Sequence, residues 1–146
     1  MPETLKIDGK MNVHIIMPTK SVLDDVADKI ILPTEDGDLM ILWDRAPLFV
    51  QIKAGLVWVY NRGQRPVGYY VSSGFAEVRR NICAVLAWGV KADSVDKASI
   101  HRRKQVVEEQ LGKINSDLQR QELMKRIDFF KMLETKPSLL VPPSFD

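Results

Sequence analysis

The chain carries one cysteine, Cys83, and two histidines, His14 and His101. A lone thiol closes no intrachain disulfide, and so few soft ligands supply no zinc site, so the sequence fits a reducing compartment and a fold held by its own core. Long apolar runs are missing too: no window approaches the ~18 consecutive apolar residues of a membrane-spanning helix. The N-terminal MPETLKIDGK has neither the apolar core of a secretory signal nor the arginine-rich character of a transit peptide, so any membrane association is expected to run through a partner. Nor does one sign of charge dominate. With 21 basic and 19 acidic residues the net charge is +2, and neither half of the chain forms a tail for a polyanion, which removes a general electrostatic pull toward nucleic acid. There is no glycine-rich phosphate loop ending in Lys-Ser or Lys-Thr, no Gly-x-Ser-x-Gly elbow and no His-Glu-x-x-His helix, nor any internal repeat or low-complexity tract.

What is present is enough apolar material, 45% of 146 residues, to fill the core of one compact domain or of a small domain with an appendage. From Met11 to about Gly89 short apolar runs alternate with turn signals at the spacing of an all-β sandwich or barrel. Val13 and Ile15 alternate with Asn12 and His14, Pro18 and Ser21 break the run, and Ile30–Leu32 follows before Pro33. Further strands are expected at Leu39–Trp43, Leu48–Ile52, Leu56–Tyr60, Val67–Ser72, Phe75–Arg79 and Ile82–Ala87. Asn61 to Gln64, with Gly63 at positive φ, and Arg79 to Asn81 read as tight connections. So many paired strands need two buried faces, which two packed sheets provide.

After Ala92 the period changes. Ile100, Val107, Leu111 and Ile114 follow helical spacing, with Asp93 and Asp96 where carboxylates oppose the positive helix end, so a helix is expected from about Ser94 to Lys113. Gly112 and Asn115–Asp117 supply a stop and a new cap, and Leu123, Ile127 and Phe130 form a second stripe. The expected architecture is therefore mainly β with α: a β-sandwich over 1–92, of which 1–10 is an N-terminal extension, then an antiparallel helical hairpin over 93–136. Pro137, Pro142 and Pro143 make 137–146 an extended tail.

Cys83 lies among Ile82, Ala84 and Val85, which gives a buried structural cysteine rather than a nucleophile. Glu35, Asp36 and Asp38 around Gly37 lack the ligand spacing of a calcium loop and read as a solvated acidic turn or a partner contact. Trp43, Trp58, Trp88, Tyr60, Tyr69 and Tyr70 sit in alternating strands without flanking basic clusters, which favours packing over base stacking. Arg102, Arg103 and Lys104 begin a basic helix face continued by Lys113, Arg120, Lys125, Arg126 and Lys131. Such a face is solvated or docks on an acidic protein surface.

Four stretches occur in order: ILPTEDGDLMIL, then RAPL with IKAG, then SSGFAEV, then NICAVLA, followed by the hairpin. Over about Met11 to Glu134 the chain resembles the epsilon subunit of bacterial F-type ATP synthases, called delta in mitochondria. That resemblance implies a non-catalytic, cofactor-free part of the rotating central stalk, peripheral on the cytoplasmic face of the bacterial inner membrane. Its implied partners are the gamma subunit, the ring of membrane c subunits and the catalytic alpha/beta hexamer, with no nucleic acid. Asp36 and Asp38 align with an acidic turn facing the c ring, and Arg45, Ser72 and Glu77 with positions toward gamma. The hairpin in relatives folds down or extends along gamma to block ATP hydrolysis, which makes Arg102, Arg103, Arg120, Lys125 and Arg126 candidates for inhibitory contacts.

The chain departs from the family pattern in several places. Trp43, Asp44 and Arg45 replace a common Pro-Gly-His, and Met40 and Ser73 replace glycines. The nucleotide-binding pattern Ile-Asp-x-x-Arg-Ala is Val95-Asp96-Lys97-Ala98-Ser99-Ile100 here, and Val106 stands where a later arginine is expected. Without those guanidiniums to pair with phosphate, the hairpin is not expected to bind ATP. The altered loop leaves an alternative open, a diverged stand-alone β-sandwich adaptor that has lost its place in the synthase.

Overall fold

The computed structural model describes residues 9–135 and 142–143. The chain divides into two compact units, Met1–Asp93 and Ser94–Asp146.

The first unit is built from β1 (Met11–Ile16), β2 (Ser21–Ala27), β3 (Lys29–Thr34), β4 (Gly37–Leu42), β5 (Leu48–Ile52), β6 (Gly55–Tyr60), β7 (Val67–Val71), β8 (Gly74–Arg79), β9 (Ile82–Leu86) and β10 (Gly89–Lys91). They form two five-stranded sheets, ordered β2-β1-β9-β8-β5 and β10-β7-β6-β3-β4. The alternation read in the sequence decides which side chains go inward: in β8, Ala76 and Val78 are buried while Phe75, Glu77 and Arg79 are exposed. Between the sheets lie fully buried aliphatics such as Val13 and Ile15 of β1, Ile30 and Leu32 of β3, and Val71 of β7. Each such burial stabilises the fold by roughly 1.5–3 kcal/mol.

β1 pairs in parallel with β9, so Asn12 lies beside Ile82 and Val13 beside Cys83, and all the other strand pairings are antiparallel. Cys83 is buried in that pair, and burial pushes its thiol up to about 12. A thiol-exchange reagent is therefore expected to leave it unmodified at pH 8 and to react with one equivalent in urea. Rapid labelling in buffer would mean that the β1–β9 pair opens.

The connections behave as their residues dictate. Arg79 pairs with Ile82, leaving Arg80 and Asn81 as a two-residue loop at φ 51° and 61°, the left-handed conformation that a tight hairpin requires. At the β6–β7 connection Lys10 Nζ donates to Asn61 Oδ1 at 3.0 Å, Asn61 Nδ2 donates to the Val26 carbonyl at 3.1 Å, and the Arg62 N–H donates to Asp28 Oδ2 at 2.6 Å.

Two strands lie outside the expected set. β2 is an edge strand that pairs with β1 alone, and Asp24 and Asp25 on it hide the apolar pattern. β10 spans three residues, too short for periodicity to reveal, and is defined by its pairing with β7.

The second unit is a hairpin of α1 (Lys97–Leu111) and α2 (Asp117–Thr135). α1 begins later than its apolar spacing suggests because Ala92–Ser94 forms a 3-10 turn and Asp96 is the N-cap, accepting the Ala98 N–H at 3.2 Å. Ile100 and Val107 on α1, and Leu123, Ile127 and Phe130 on α2, are buried. Lys104 and Glu134 occupy the same stripes, and their side chains meet: Lys104 Nζ donates to Glu134 Oε2 at 2.8 Å, while His101 Nδ1 lies 3.4 Å from Oε1. This ion pair at the margin of the apolar seam favours one register, because a slip separates the two charges. The expected N-terminal extension lies outside the described residues except for Gly9 and Lys10, and the expected tail lies outside them except for Pro142 and Pro143.

The hydrogen bond from Lys104 is the main reason that the Glu134 carboxyl is held below the usual carboxylate range, and the Arg62 N–H does the same for Asp28. Both groups bind a proton less tightly folded than unfolded. Their stabilisation is therefore complete above the ordinary carboxylate range and is lost as pH falls through the folded values. The urea midpoint should hold level from pH 7 to about 5 and decline below that. Glu134→Gln with Asp28→Asn should flatten the decline; an unchanged slope would assign it to other groups.

Candidate functional site

The acidic turn joins β3 to β4. Thr34 pairs with Gly37, so Glu35 and Asp36 form the loop, and Gly37 takes φ 108°, which a side chain would strain. The Thr34 hydroxyl accepts the Asp36 N–H at 3.2 Å and donates to the Gly37 carbonyl at 2.5 Å. The turn is thus braced from beneath, with Glu35, Asp36 and Asp38 exposed.

Arg45 lies beyond the other end of β4, in the exposed loop that leads to β5. Six strand residues separate the two places, about 20 Å at ordinary strand rise. The loop is anchored at Asp44, which sits at φ 62° and donates its N–H to Asn81 Oδ1 at 2.6 Å. Asn81 therefore holds the backbone of the residue before Arg45, a contact no motif in the sequence announces.

Glu77 stands on the solvent side of β8. Its neighbours there are Phe49 across the β5 pair and Ala84 across the β9 pair. Phe49 is 66% exposed, Phe75 45% and Leu86 48%. The two phenylalanine rings stack with centroids 5.4 Å apart and planes 19° apart, and Leu86 pairs with Phe75 on the next strand. The carboxylate of Glu77 lies 3.7 Å from Arg79 Nη1, so an aromatic and aliphatic patch is bordered by a charge pair. The sequence carries a signal for this patch in strand parity. Phe49 and Phe75 occupy the parity that faces water in their strands, where apolar side chains are out of place unless something covers them.

Ser72 differs from the other sites assigned toward gamma. It is buried; its hydroxyl accepts the Trp88 N–H at 2.9 Å and donates to the Ser73 carbonyl at 3.1 Å. It also belongs to the end of the sandwich that holds the acidic turn, since Val71 pairs with Gly55 and Pro33 lies against Gly55. The structure thus brings Glu77 together with the aromatic patch, sets Arg45 at one end and Asp36 and Asp38 at the other, and spends the Ser72 hydroxyl internally.

In the hairpin the basic residues differ in availability. Arg103 is exposed, Arg102 donates to Ser99 Oγ at 3.2 Å, Lys125 Nζ lies 3.9 Å from Glu122 Oε1, and Arg126 is half-buried. Arg120 is committed to the hairpin itself: Nη1 donates to the Leu111 and Ile114 carbonyls at 3.2 and 3.3 Å, satisfying orphan acceptors at the end of α1 and in the turn. Among the described residues there is no group of three or more histidine, cysteine, aspartate or glutamate side chains arranged to hold a metal, and no helix is long and apolar enough to cross a membrane.

Comparison with known proteins agrees with this architecture. Residues 10–92 match the family model of the ATP synthase delta/epsilon chain, beta-sandwich domain. The ATP synthase epsilon chain of Prochloron didemni is 33% identical over 122 residues, 83% of this chain and 89% of that one. The ATP synthase epsilon chain of Gloeothece citriformis is 41% identical over 88 residues, 60% of this chain and 63% of that one. Among solved structures, a chain of the Euglena gracilis mitochondrial ATP synthase shares the fold with a TM-score of 0.58 at 18% identity, covering 92% of this chain and 88% of that one. With more than half its length matched by the family model and a relative of that identity aligned along most of both chains, this chain belongs to the ATP synthase delta/epsilon family.

Proposed function

We propose that the chain is a non-catalytic central-stalk subunit of a rotary F-type ATP synthase. It links the gamma subunit to the c ring, and so couples proton transport to ATP synthesis. The observation that carries this reading is the patch of Phe49, Phe75 and Leu86 around Glu77, an exposed apolar surface with a charged border on a rigid sheet. Aromatic side chains in such a setting are the usual anchors of protein interfaces. Gamma is assigned to this patch and to the Arg45 loop. The c ring is assigned to Asp36 and Asp38, on the turn that the Thr34 hydroxyl braces. The protein is then peripheral, held at the cytoplasmic face of a bacterial inner membrane through the c ring.

The hairpin is assigned the role of a brake on ATP hydrolysis, with Arg102, Arg103, Lys125 and Arg126 meeting the catalytic subunits and Arg120 shaping the hairpin turn. A two-state hairpin needs packings of similar free energy. The Lys104–Glu134 pair favours the state in which α1 and α2 stay together.

The test is to reconstitute the full chain, and a form ending at Ala92, with gamma and the catalytic hexamer, then to measure ATP hydrolysis. Both forms should bind, and only the full chain should suppress hydrolysis. Equal hydrolysis would leave a coupling subunit without a brake. Failure of both forms to bind would favour the second reading, a stand-alone adaptor, which the 42% exposed Trp43 in the altered loop also suits.

A further inference from the structure

β4 is the outermost strand of its sheet, and its outer edge, unpaired among the described residues, has a definite chemistry. Pro33 has no N–H, so its pairing with Asp38 is a non-hydrogen-bonded pair, and the Pro33 carbonyl instead accepts the Lys53 N–H at 3.0 Å on the side away from β4. The N–H and C=O of Asp38 therefore point outward from the sheet. By the alternation of a strand so do those of Met40 and Leu42.

Sheet edges are normally guarded by lysine, proline, a bulge or a covering segment. β4 contains no lysine or proline, and its register with β3 runs unbroken from Gly37 to Leu42. Instead, Met40 is 39% exposed, Leu42 47% and Trp43 42%. Glu35, Asp36, Asp38 and Asp44 lie around this strip against two cations, Arg45 and Lys29; the latter is paired with Leu42 and has its ammonium over the Tyr60 ring, so acidic charge is in excess.

We propose that the free edge of β4 receives an extended strand from a partner polypeptide, one with apolar residues at alternate positions and lysine or arginine at its flanks. Main-chain pairing to Asp38, Met40 and Leu42 supplies affinity, and the apolar strip selects the side chains laid beside it. The acidic surround selects the flanking charge. It also disfavours a second copy of this chain as the occupant, since two such edges would bring acidic rim to acidic rim. The inference concerns a different surface from the aromatic patch and stands whether or not the patch binds gamma.

The test is a photo-cross-linking residue, benzoylphenylalanine, placed at Trp43 in the full chain in its native host, followed by sequencing of the cross-linked peptide. The expected product is a peptide with alternating apolar residues and a basic flank. Leu42→Lys, which adds the missing guard, should cut its yield at least tenfold without changing the melting temperature. Amide exchange at Met40 and Leu42, but not at Leu39 and Ile41, should slow at least tenfold on binding of that peptide. The inference is overturned by a cross-link to a second copy of the chain, by peptides without the strand pattern, by no more product than from the same residue at Gln64 in the β6–β7 turn, or by unchanged exchange at Met40 and Leu42.

Discussion

Gly74→Ala should lower the melting temperature of the sandwich by about 15 °C, through a destabilisation of about 3 kcal/mol. A methyl group at this position would lie 2.2 Å from the Leu86 carbonyl oxygen and 3.0 Å from the Ala87 Cβ. The first of these neighbours is backbone, so relief requires the start of β8 to move away from the end of β9. The penalty then spreads to the pairing of Phe75 with Leu86 and of Gly74 with Ile52. Gly37→Ala provides the contrast. Nothing lies within 4 Å of a methyl group there, but φ is 108°, so the cost is confined to local backbone strain of about 1–3 kcal/mol. Thermal unfolding followed by far-ultraviolet circular dichroism compares the two. A Gly74→Ala chain that melts with the parent would mean that the β8–β9 pair yields more readily than its geometry implies.

Replacing Phe49 and Phe75 together by alanine should weaken binding to the gamma subunit by at least 100-fold while leaving thermal stability nearly unchanged. Anchoring aromatics at interface centres cost about 2 kcal/mol or more each when truncated, and about 1.4 kcal/mol is a tenfold change in affinity. The rings touch, so the two losses are expected to be non-additive, with coupling of about 0.5–1.5 kcal/mol from the stack. Stability is spared because the side chains already face water in the free chain, at 66% and 45% exposure. Glu77→Ala should have a smaller effect, since its carboxylate is exposed and already paired with Arg79. Titration calorimetry of each variant with gamma measures these differences. Unchanged affinity in the double variant would move the gamma contact off this face.

The sandwich was legible in the sequence because alternation is a local property, and the residues of β1 and β8 print it plainly. The type of each element that was expected, strand before Ala92 and helix after it, followed from period. β2 escaped because an edge strand tolerates two adjacent acids that erase the pattern, and β10 because three residues hold no period. The candidate sites were legible as positions and less so as available groups. Ser72 aligned with a contact position, but its hydroxyl is consumed by Trp88 and Ser73; Arg120 looked like a free surface cation and serves as a helix-end donor. These bonds join residues that the fold must bring together before they can be seen. Phe49 and Phe75 were legible in principle, since each occupies the outward parity of its strand, and Asn81 was not, since its side chain acts on Asp44 through a loop whose path only the fold defines.

The parallel pairing of β1 with β9 has a consequence for biosynthesis. β1 leaves the ribosome before the other strands of the sandwich, yet the central neighbour that completes its sheet is encoded almost at the end of the sandwich, so Asn12 waits for Ile82. Until then β1 has β2 alone, a two-stranded ribbon with an apolar face and little independent stability. Closing so long a loop places this domain among slow, topology-limited folders. The nascent chain therefore passes through a long interval with an open, adhesive strand edge, when a chaperone that covers it would improve the yield of folded protein.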